Sequence, residues 1–346
     1  MMRAAVTSIE YYLPKAKLTN DDLALEFPEW PVEKIQAKTG ITARHIAGPD
    51  ECSSDLGTAA AQKLFASGAC TSEQIDYLLF CTQSPDYFLP TTACVMHEKL
   101  GLPATCGALD FNLGCSGFVY GLGLAKGLIE SGQASNVLLI TAETYSKFIH
   151  PRDKSVRTIF GDAAAATLIR GVPASDLGPE EDWIGPFIFG TDGTGADNLI
   201  VHTGGMRQRW SSGTGAVGRD EQGNLRTPDS LYMNGSEIFT FTLRVVPDSV
   251  RALLKRSQKR LEDIDLFVFH QANEYMLEHL RRKLKLPEKK FYIAMRHCGN
   301  TVSSTIPIAL KHALDEGKLR PGNLVMLAGF GVGYSWGSTL VRWAGG

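Results

Sequence analysis

The chain repeats itself, and a duplicated unit constrains its fold more than any single motif does. Residues 73 to 80 read EQIDYLLF and residues 262 to 269 read EDIDLFVF, so Ile75 matches Ile264 and Phe80 matches Phe269 at a spacing of 189. LGLP at 100 to 103 returns as LKLP at 284 to 287, and NVLLITA from Asn136 returns as NLVMLAG from Asn323 at a spacing of 187. Three echoes in one order at nearly one spacing imply two similar halves. The join is expected near residues 171 to 186, where Gly, Pro, Asp and Glu interrupt the apolar pattern. We place the halves at 1–178 and 179–346, and a length of 346 residues suits two units of domain size.

Within each half, short apolar runs alternate with helix-length stretches, the pattern of an α/β protein. YLLFCT from Tyr77, VLLIT from Val137, LFVF from Leu266 and LVMLA from Leu324 are the clearest strands. Strands so continuously apolar are covered on both faces, so a layered α/β/α arrangement is expected. The stretch from Gly190 to Asp229 is rich in glycine and poor in strand signals. It reads as a loop insertion over the core, able to form part of a substrate wall.

Thirty-five Lys plus Arg against 37 Asp plus Glu leave a net charge of −2, so bulk electrostatics point neither to nucleic acid nor to a membrane surface. No run approaches the length of a spanning helix and the N-terminal apolar run is too short for a secretory signal, so a cytoplasmic location is expected. The seven cysteines are scattered, with no CxxC pair, which suits a reducing compartment without disulfides or structural zinc.

Residues 107 to 130, GALDFNLGCSGFVYGLGLAKGLIE, read as a strand, a corner of small residues and a helix apolar on every side, hence buried. Cys115 falls at the start of that helix, where unpaired N–H groups and the helix dipole favour a thiolate. It is either a nucleophile or, as with most free cysteines, a small buried apolar residue. The second half has its own corner, RHCGNTVSS from Arg296, ahead of another small-residue helix, and the symmetry sets Asn300 near Cys115. His270 follows the strand LFVF, at the carboxyl edge of a sheet where open α/β folds bind ligands, or it is a structural histidine. His297 and Cys298 lie close by in sequence, but no ladder of carboxylates or histidines accompanies them, so no metal is expected.

Together, NLGCSGFVYGL, IFGDAAAATLI, FHQAN, GNTVSSTIP and FGVGYSWGSTLVRW resemble the motifs of β-ketoacyl-acyl carrier protein synthase III, the initiating condensing-enzyme family of the thiolase superfamily. The resemblance runs from YYLPKAKLTN to the last strand. It implies a duplicated βαβαβαββ unit in a five-layered α/β/α/β/α core, assembled as a homodimer. It also implies an acyltransferase with Cys115, His270 and Asn300 as catalytic residues. Cys115 would take the acyl group of an acyl-CoA, and His270 and Asn300 would then donate hydrogen bonds as malonyl-acyl carrier protein loses carbon dioxide. The product would be a 3-oxoacyl-acyl carrier protein, for the initiation of fatty-acid synthesis or a related specialised pathway. Neither a metal nor a redox cofactor is implied.

The resemblance also assigns a wall. FGVGYSWG would line the cysteine through Phe330 and Gly331, with the backbone N–H of Val332 joining that of Cys115 in an oxyanion hole. Val332 stands where the family has the middle of three glycines, so the loop shape is expected to differ. Trp30 and Lys38 would clamp the adenine of coenzyme A, although PVEKIQAK lengthens the connection between them. Lys154 and Arg157 would face phosphate. Leu89, beside Tyr87 and Phe88, would reach across the dimer to close the acyl tunnel.

Rival readings fit less well. GLGLAKG at Gly121 to Gly127 lies inside a helix and lacks the strand-turn context of a dinucleotide fingerprint. A thiolase would need a second catalytic cysteine. Hydroxymethylglutaryl-CoA synthase would need a catalytic Glu, and none of Glu73, Glu98 and Glu143 sits in a matching motif. The alternative from another class is a non-condensing acyltransferase that moves an acyl group from Cys115 to an alcohol or amine.

Overall fold

The structure is a computed structural model that describes residues 2–174 and 182–345. Its first half begins with strand β1 (Met2–Tyr12), followed by an excursion: β2 (Ala16–Thr19), α1 (Asn20–Glu26), α2 (Val32–Thr39) and β3 (Ala43–Ile46). The main unit then runs through α3 (Ser53–Ala66), β4 (Tyr77–Cys81), α4 (Thr92–Lys99), β5 (Gly107–Phe111), α5 (Gly117–Glu130), β6 (Asn136–Glu143), the short α6 (Lys154–Arg157) and β7 (Ala163–Pro173). Five of these strands form one mixed sheet in the order β1-β7-β6-β4-β5.

The second half repeats the plan. It starts with β8 (Ile184–Thr191) and makes its own excursion through the two-residue strands β9 (Leu199–Ile200), β10 (Gly218–Arg219), β11 (Leu225–Arg226) and β12 (Tyr232–Met233). There follow α7 (Gly235–Ser257), β13 (Leu266–Phe269), α8 (Glu274–Leu284), α9 (Thr305–Asp315), β14 (Leu324–Gly331) and β15 (Ser335–Arg342). Its sheet has the order β13-β14-β15-β8. The counterpart of β5 is reduced to a single parallel bridge between Phe267 and Phe291. The proposed boundary between residues 178 and 179 lies outside the described residues.

Equivalent hydrogen bonds mark the duplication. Asp76 caps β6 by accepting from the N–H of Asn136 at 2.8 Å while its own N–H donates to the Asn136 carbonyl at 3.0 Å. Asp265 does the same at Leu324, at 2.8 and 2.9 Å. Asn136 therefore corresponds to Leu324, and the expected match with Asn323 is one residue out. The shared Asn suggests the wrong register, because strand pairing follows the buried apolar residues rather than the flanking polar one.

Helices α5 and α9 fill the layer between the two sheets, α3 and α4 cover the outer face of the first sheet, and α7 and α8 cover the second. This is the expected five-layered α/β/α/β/α thiolase-like architecture. The central core gathers Phe118, Leu122 and Ile129 of α5, Ile306 and Leu310 of α9, and strand residues of both halves such as Leu139 and Leu327. Each fully buried large apolar side chain contributes about 1.5–3 kcal/mol. Glycine permits the close approach of helix to sheet, since a β-carbon on Gly121 would lie 2.7 Å from Leu139 Cδ1. Helix α5 is not buried all round as expected: Leu124 is 43% exposed.

Candidate active site

Three stretches of chain converge where the halves meet. Cys115 lies just ahead of α5, within the tight corner that closes when the N–H of Gly117 donates to the carbonyl of Gly114 at 2.8 Å. His270 follows the last residue of β13, and its N–H donates to the Ala328 carbonyl of β14 at 2.8 Å. Asn300 is held against the other half. Its N–H donates to the Ile159 carbonyl at 2.9 Å, and its carbonyl accepts from the N–H of Gly161 at 3.0 Å, so IFGD and GNT form a parallel bridge. Gly299, at φ +74°, makes this approach possible, because a β-carbon there would sit 2.8 Å from the Ile159 carbonyl oxygen.

Cys115, His270, Asn300, Phe330 and Gly331 all line one cavity of about 140 Å³. Its remaining wall is largely apolar and includes Phe160, Leu199, Met233, Ile238 and Met276. The insertion after Gly190 thus supplies Leu199 to the wall, as expected of it, and Met233 follows just beyond its end. Sequence reasoning missed Ile238 and Met276, apolar residues that α7 and α8 turn toward the cavity.

Cys115 is 5% exposed, and burial first, then the neighbouring Glu143 carboxyl, push its thiol pKa up to about 12. The backbone N–H groups of Cys115 and Val332 oppose this. The expectation of a thiolate in the free protein is therefore corrected: the helix start is present, but desolvation of the anion outweighs it. The Val332 N–H reaches the sulfur. Val332 itself does not take a left-handed conformation. That burden falls on Gly333, at φ +135°, so the valine is accommodated without backbone strain.

Burial also pushes the His270 imidazole down to about 3, leaving the ring neutral. Its Nδ1 lies 2.7 Å from Thr305 Oγ1, and the ring meets Phe330 edge to face, with centroids 5.5 Å apart at 84°. Asn300 Oδ1 accepts from the N–H of Val302 at 2.9 Å, which fixes the amide and leaves its NH₂ group as donor. Val302 reaches that position only with φ at +55°, a conformation β-branched residues avoid.

Glu143, set aside on sequence grounds, proves to be buried at the end of β6. It accepts from the Gln83 N–H at 3.0 Å, Ser84 Oγ at 3.2 Å and Ser303 Oγ at 2.9 Å. Burial raises its pKa to about 8. No sequence signal distinguishes it, because a carboxylate at a strand end is ordinarily solvated.

The other expected substrate residues do not line this cavity. Lys38 Nζ stands 4.9 Å from the Trp30 ring centroid, because the added residues between them wind into α2 and bring the lysine back over the indole. Lys154 is largely buried, with Nζ 3.0 Å from Glu29 Oε1 and donating to the Gln222 carbonyl at 2.8 Å. Arg157 pairs with Glu26 through both of its terminal nitrogens. The four thus cluster around the α1–α2 connection, with two of the cations already facing carboxylates. Leu89 is 87% exposed, beside Tyr87 at 61% and Phe88 at 73%. Among the described residues no group of three or more His, Cys, Asp or Glu could hold a metal ion, and no helix is long and apolar enough to cross a membrane.

Residues 109–193 match the family model for 3-oxoacyl-[acyl-carrier-protein] synthase III, and residues 254–343 match the model for its C-terminal part. The β-ketoacyl-[acyl-carrier-protein] synthase III of Caldanaerobacter subterraneus subsp. tengcongensis is 35% identical over 341 residues, 99% of this chain and 98% of the relative. A crystal structure of a 3-oxoacyl-(acyl-carrier-protein) synthase III superimposes with a TM-score of 0.96 at 53% identity, over 99% of this chain and 100% of that one. A 3-oxoacyl-(acyl-carrier protein) synthase from Burkholderia xenovorans gives 0.89 at 35% identity, over 99% and 94%. With 35% identity across almost its whole length, the chain belongs to the β-ketoacyl-[acyl-carrier-protein] synthase III family.

Proposed function

We propose that this protein catalyses the decarboxylative Claisen condensation of an acyl-CoA with malonyl-acyl carrier protein, through an acyl group carried on Cys115. The observation that carries the reading is the convergence of Cys115, His270 and Asn300, from three distant stretches, on one small cavity in a chain of this family. The N-terminal half, 1–178, supplies the nucleophile, and the C-terminal half, 179–346, supplies the two side-chain donors.

In the first step Cys115 Sγ attacks the thioester carbonyl and the bond from carbonyl carbon to coenzyme A sulfur breaks. The proton given up by Sγ ends on the departing coenzyme A sulfur. Because the sulfur holds its proton in the free site, its ionisation belongs to this step, where the helix start and the N–H groups of Cys115 and Val332 favour the developing negative charge. Phe330 and Gly331 form the wall beside the acyl group.

In the second step the carboxylate of the malonyl group leaves as carbon dioxide, and its electron pair becomes an enolate. His270 and Asn300 stabilise the enolate oxygen as neutral donors. The carbanion attacks the acyl carbonyl and the carbon–sulfur bond to Cys115 breaks, giving a 3-oxoacyl-acyl carrier protein, and the released thiolate takes up a proton from solvent to restore the thiol. Non-condensing transfer to an alcohol or amine leaves His270 and Asn300 without a task and is not favoured.

Around this centre we assign Trp30 and Lys38 to the adenine of coenzyme A, and Lys154 and Arg157 to its phosphates, in exchange for Glu29 and Glu26. The exposed Tyr87, Phe88 and Leu89 suit burial against a second copy of the chain, with Leu89 closing the acyl tunnel of that copy. We take the enzyme to work in the cytoplasm as a homodimer without metal or redox cofactor.

The test uses intact-protein mass spectrometry with a panel of acyl-CoAs, together with carbon dioxide release from carboxyl-labelled malonyl-acyl carrier protein. An acyl adduct on Cys115, absent in Cys115→Ala, and labelled carbon dioxide released with chain extension are expected. A persistent adduct in the variant, or acyl transfer without carbon dioxide, would overturn the reading.

A further inference from the structure

The donor role given to His270 requires its cavity-facing nitrogen to carry a proton, and the ring cannot decide this alone. A neutral imidazole has one N–H, on either Nδ1 or Nε2, and the partner of one nitrogen fixes the state of the other. His270 Nδ1 has a close polar neighbour in Thr305 Oγ1, 2.7 Å away, and both residues are buried.

Thr305 has a single hydroxyl proton and two acceptors within reach. One is Nδ1 and the other is the Val302 carbonyl, at 3.0 Å. That carbonyl already accepts the backbone N–H of Thr305 itself. A carbonyl oxygen can accept two hydrogen bonds, but this one keeps the N–H as a partner either way, so the hydroxyl proton takes the shorter contact, the one with Nδ1. A proton donated to Nδ1 makes that nitrogen an acceptor and leaves the N–H on Nε2.

We propose that Thr305 is a positioning residue for the reaction: its hydroxyl donates to His270 Nδ1 and so holds the imidazole in the form with the proton on Nε2. This rests on the condensation reading above and names a group that reading did not include. Thr305 is the first residue of α9, so its side chain is set by the helix that fills the layer between the sheets, while His270 comes from the end of β13. The contact thus couples the protonation pattern of the site to the packing of the second half. Phe330, packed against the ring, keeps the imidazole from rotating out of this arrangement.

Long-range proton–nitrogen correlation spectra of the full protein labelled with ¹⁵N-histidine test the proposal, with the His270 signals assigned by their loss in His270→Gln. We expect an unprotonated-type Nδ1 and a protonated-type Nε2 in the native protein and in Thr305→Ser. In Thr305→Val the pattern should shift toward a mixture. Release of carbon dioxide from malonyl-acyl carrier protein should fall about tenfold in Thr305→Val, the worth of one such hydrogen bond, and recover in Thr305→Ser. Acylation of Cys115 should stay within about twofold in both variants. A protonated Nδ1 in the native protein, or ring signals unchanged in Thr305→Val, would overturn the proposal. Failure of the native protein to release carbon dioxide would instead sink the condensation reading, and the spectra would still decide the role of Thr305.

Discussion

Gly331 crosses Cys115 so closely that a β-carbon on the glycine would lie 2.8 Å from both Cβ and Sγ of the cysteine. The end of β14 is thus packed onto the reactive sulfur, and this contact brings the Val332 N–H to it. Gly331→Ala should slow acylation of Cys115 at least tenfold and lower stability by about 1–3 kcal/mol, the usual cost of overpacking. Adduct formation followed by mass spectrometry, alongside urea unfolding, checks both. Acylation at the native rate would show that the loop is free to yield.

A sulfur whose pKa is pushed up to about 12 should behave as a weak acid toward small electrophiles. Alkylation of Cys115 by iodoacetamide, read on its own peptide, is expected to rise about tenfold per pH unit between about pH 6 and 9, following the thiolate fraction. A plateau below about pH 8 would mean that the helix start outweighs burial after all.

His270→Ala and Asn300→Ala should separate the two stages of the reaction. Both variants are expected to form the acyl adduct on Cys115, because neither residue is needed to accept the acyl group. Decarboxylation of the malonyl donor should drop by a factor of about 100 or more in each, on the scale seen when a donor to a developing oxyanion is removed. Loss of the adduct in either variant would move that residue into the first stage.

Glu143 makes stability depend on pH in a direction unusual for a carboxylate. Its pKa rises from 4.5 to about 8 on folding, so between those values the native state binds more protons than the unfolded chain. Its contribution is present below pH 4.5 and is lost as pH rises through about 8. His270, lowered from 6.5 to about 3, works the other way: its contribution is present above 6.5 and lost as pH falls through about 3. Comparing native protein with Glu143→Gln isolates the first effect. The variant should gain stability relative to the native protein as pH increases from about 5 to about 8, measured by urea unfolding. A constant difference across that range would contradict the buried, protonated carboxyl.

Thr242 of α7 carries a buried hydroxyl with no hydrogen-bond partner among the described residues, in the wall of the active-site cavity. Thr242→Val preserves the branched shape and removes the unpaired group. It should raise stability by about 1 kcal/mol, visible as a higher urea midpoint at unchanged slope. A loss of stability would reveal a partner for the hydroxyl in solution.

Much of this architecture is written locally. The duplication, the alternation of strand and helix, and the two corners at Cys115 and Asn300 depend on residue patterns a few positions long, because each strand and helix must present its apolar face to a covering layer. The chain by itself therefore pointed to two similar halves with the corners of Cys115 and Asn300 facing each other at their join, while the place of His270 beside them came from the family resemblance. Tertiary structure alone decided the state of those groups. The proton on Cys115 depends on burial and on Glu143 at the far end of β6, and the aim of Asn300 depends on a bridge to Phe160 in the other half. The pairing of Lys154 with Glu29 and of Arg157 with Glu26, and the placement of Thr305 against His270, are equally invisible in the linear order. Desolvation and hydrogen bonding act through space over a few ångströms, so they are set by whichever distant residues the fold brings together.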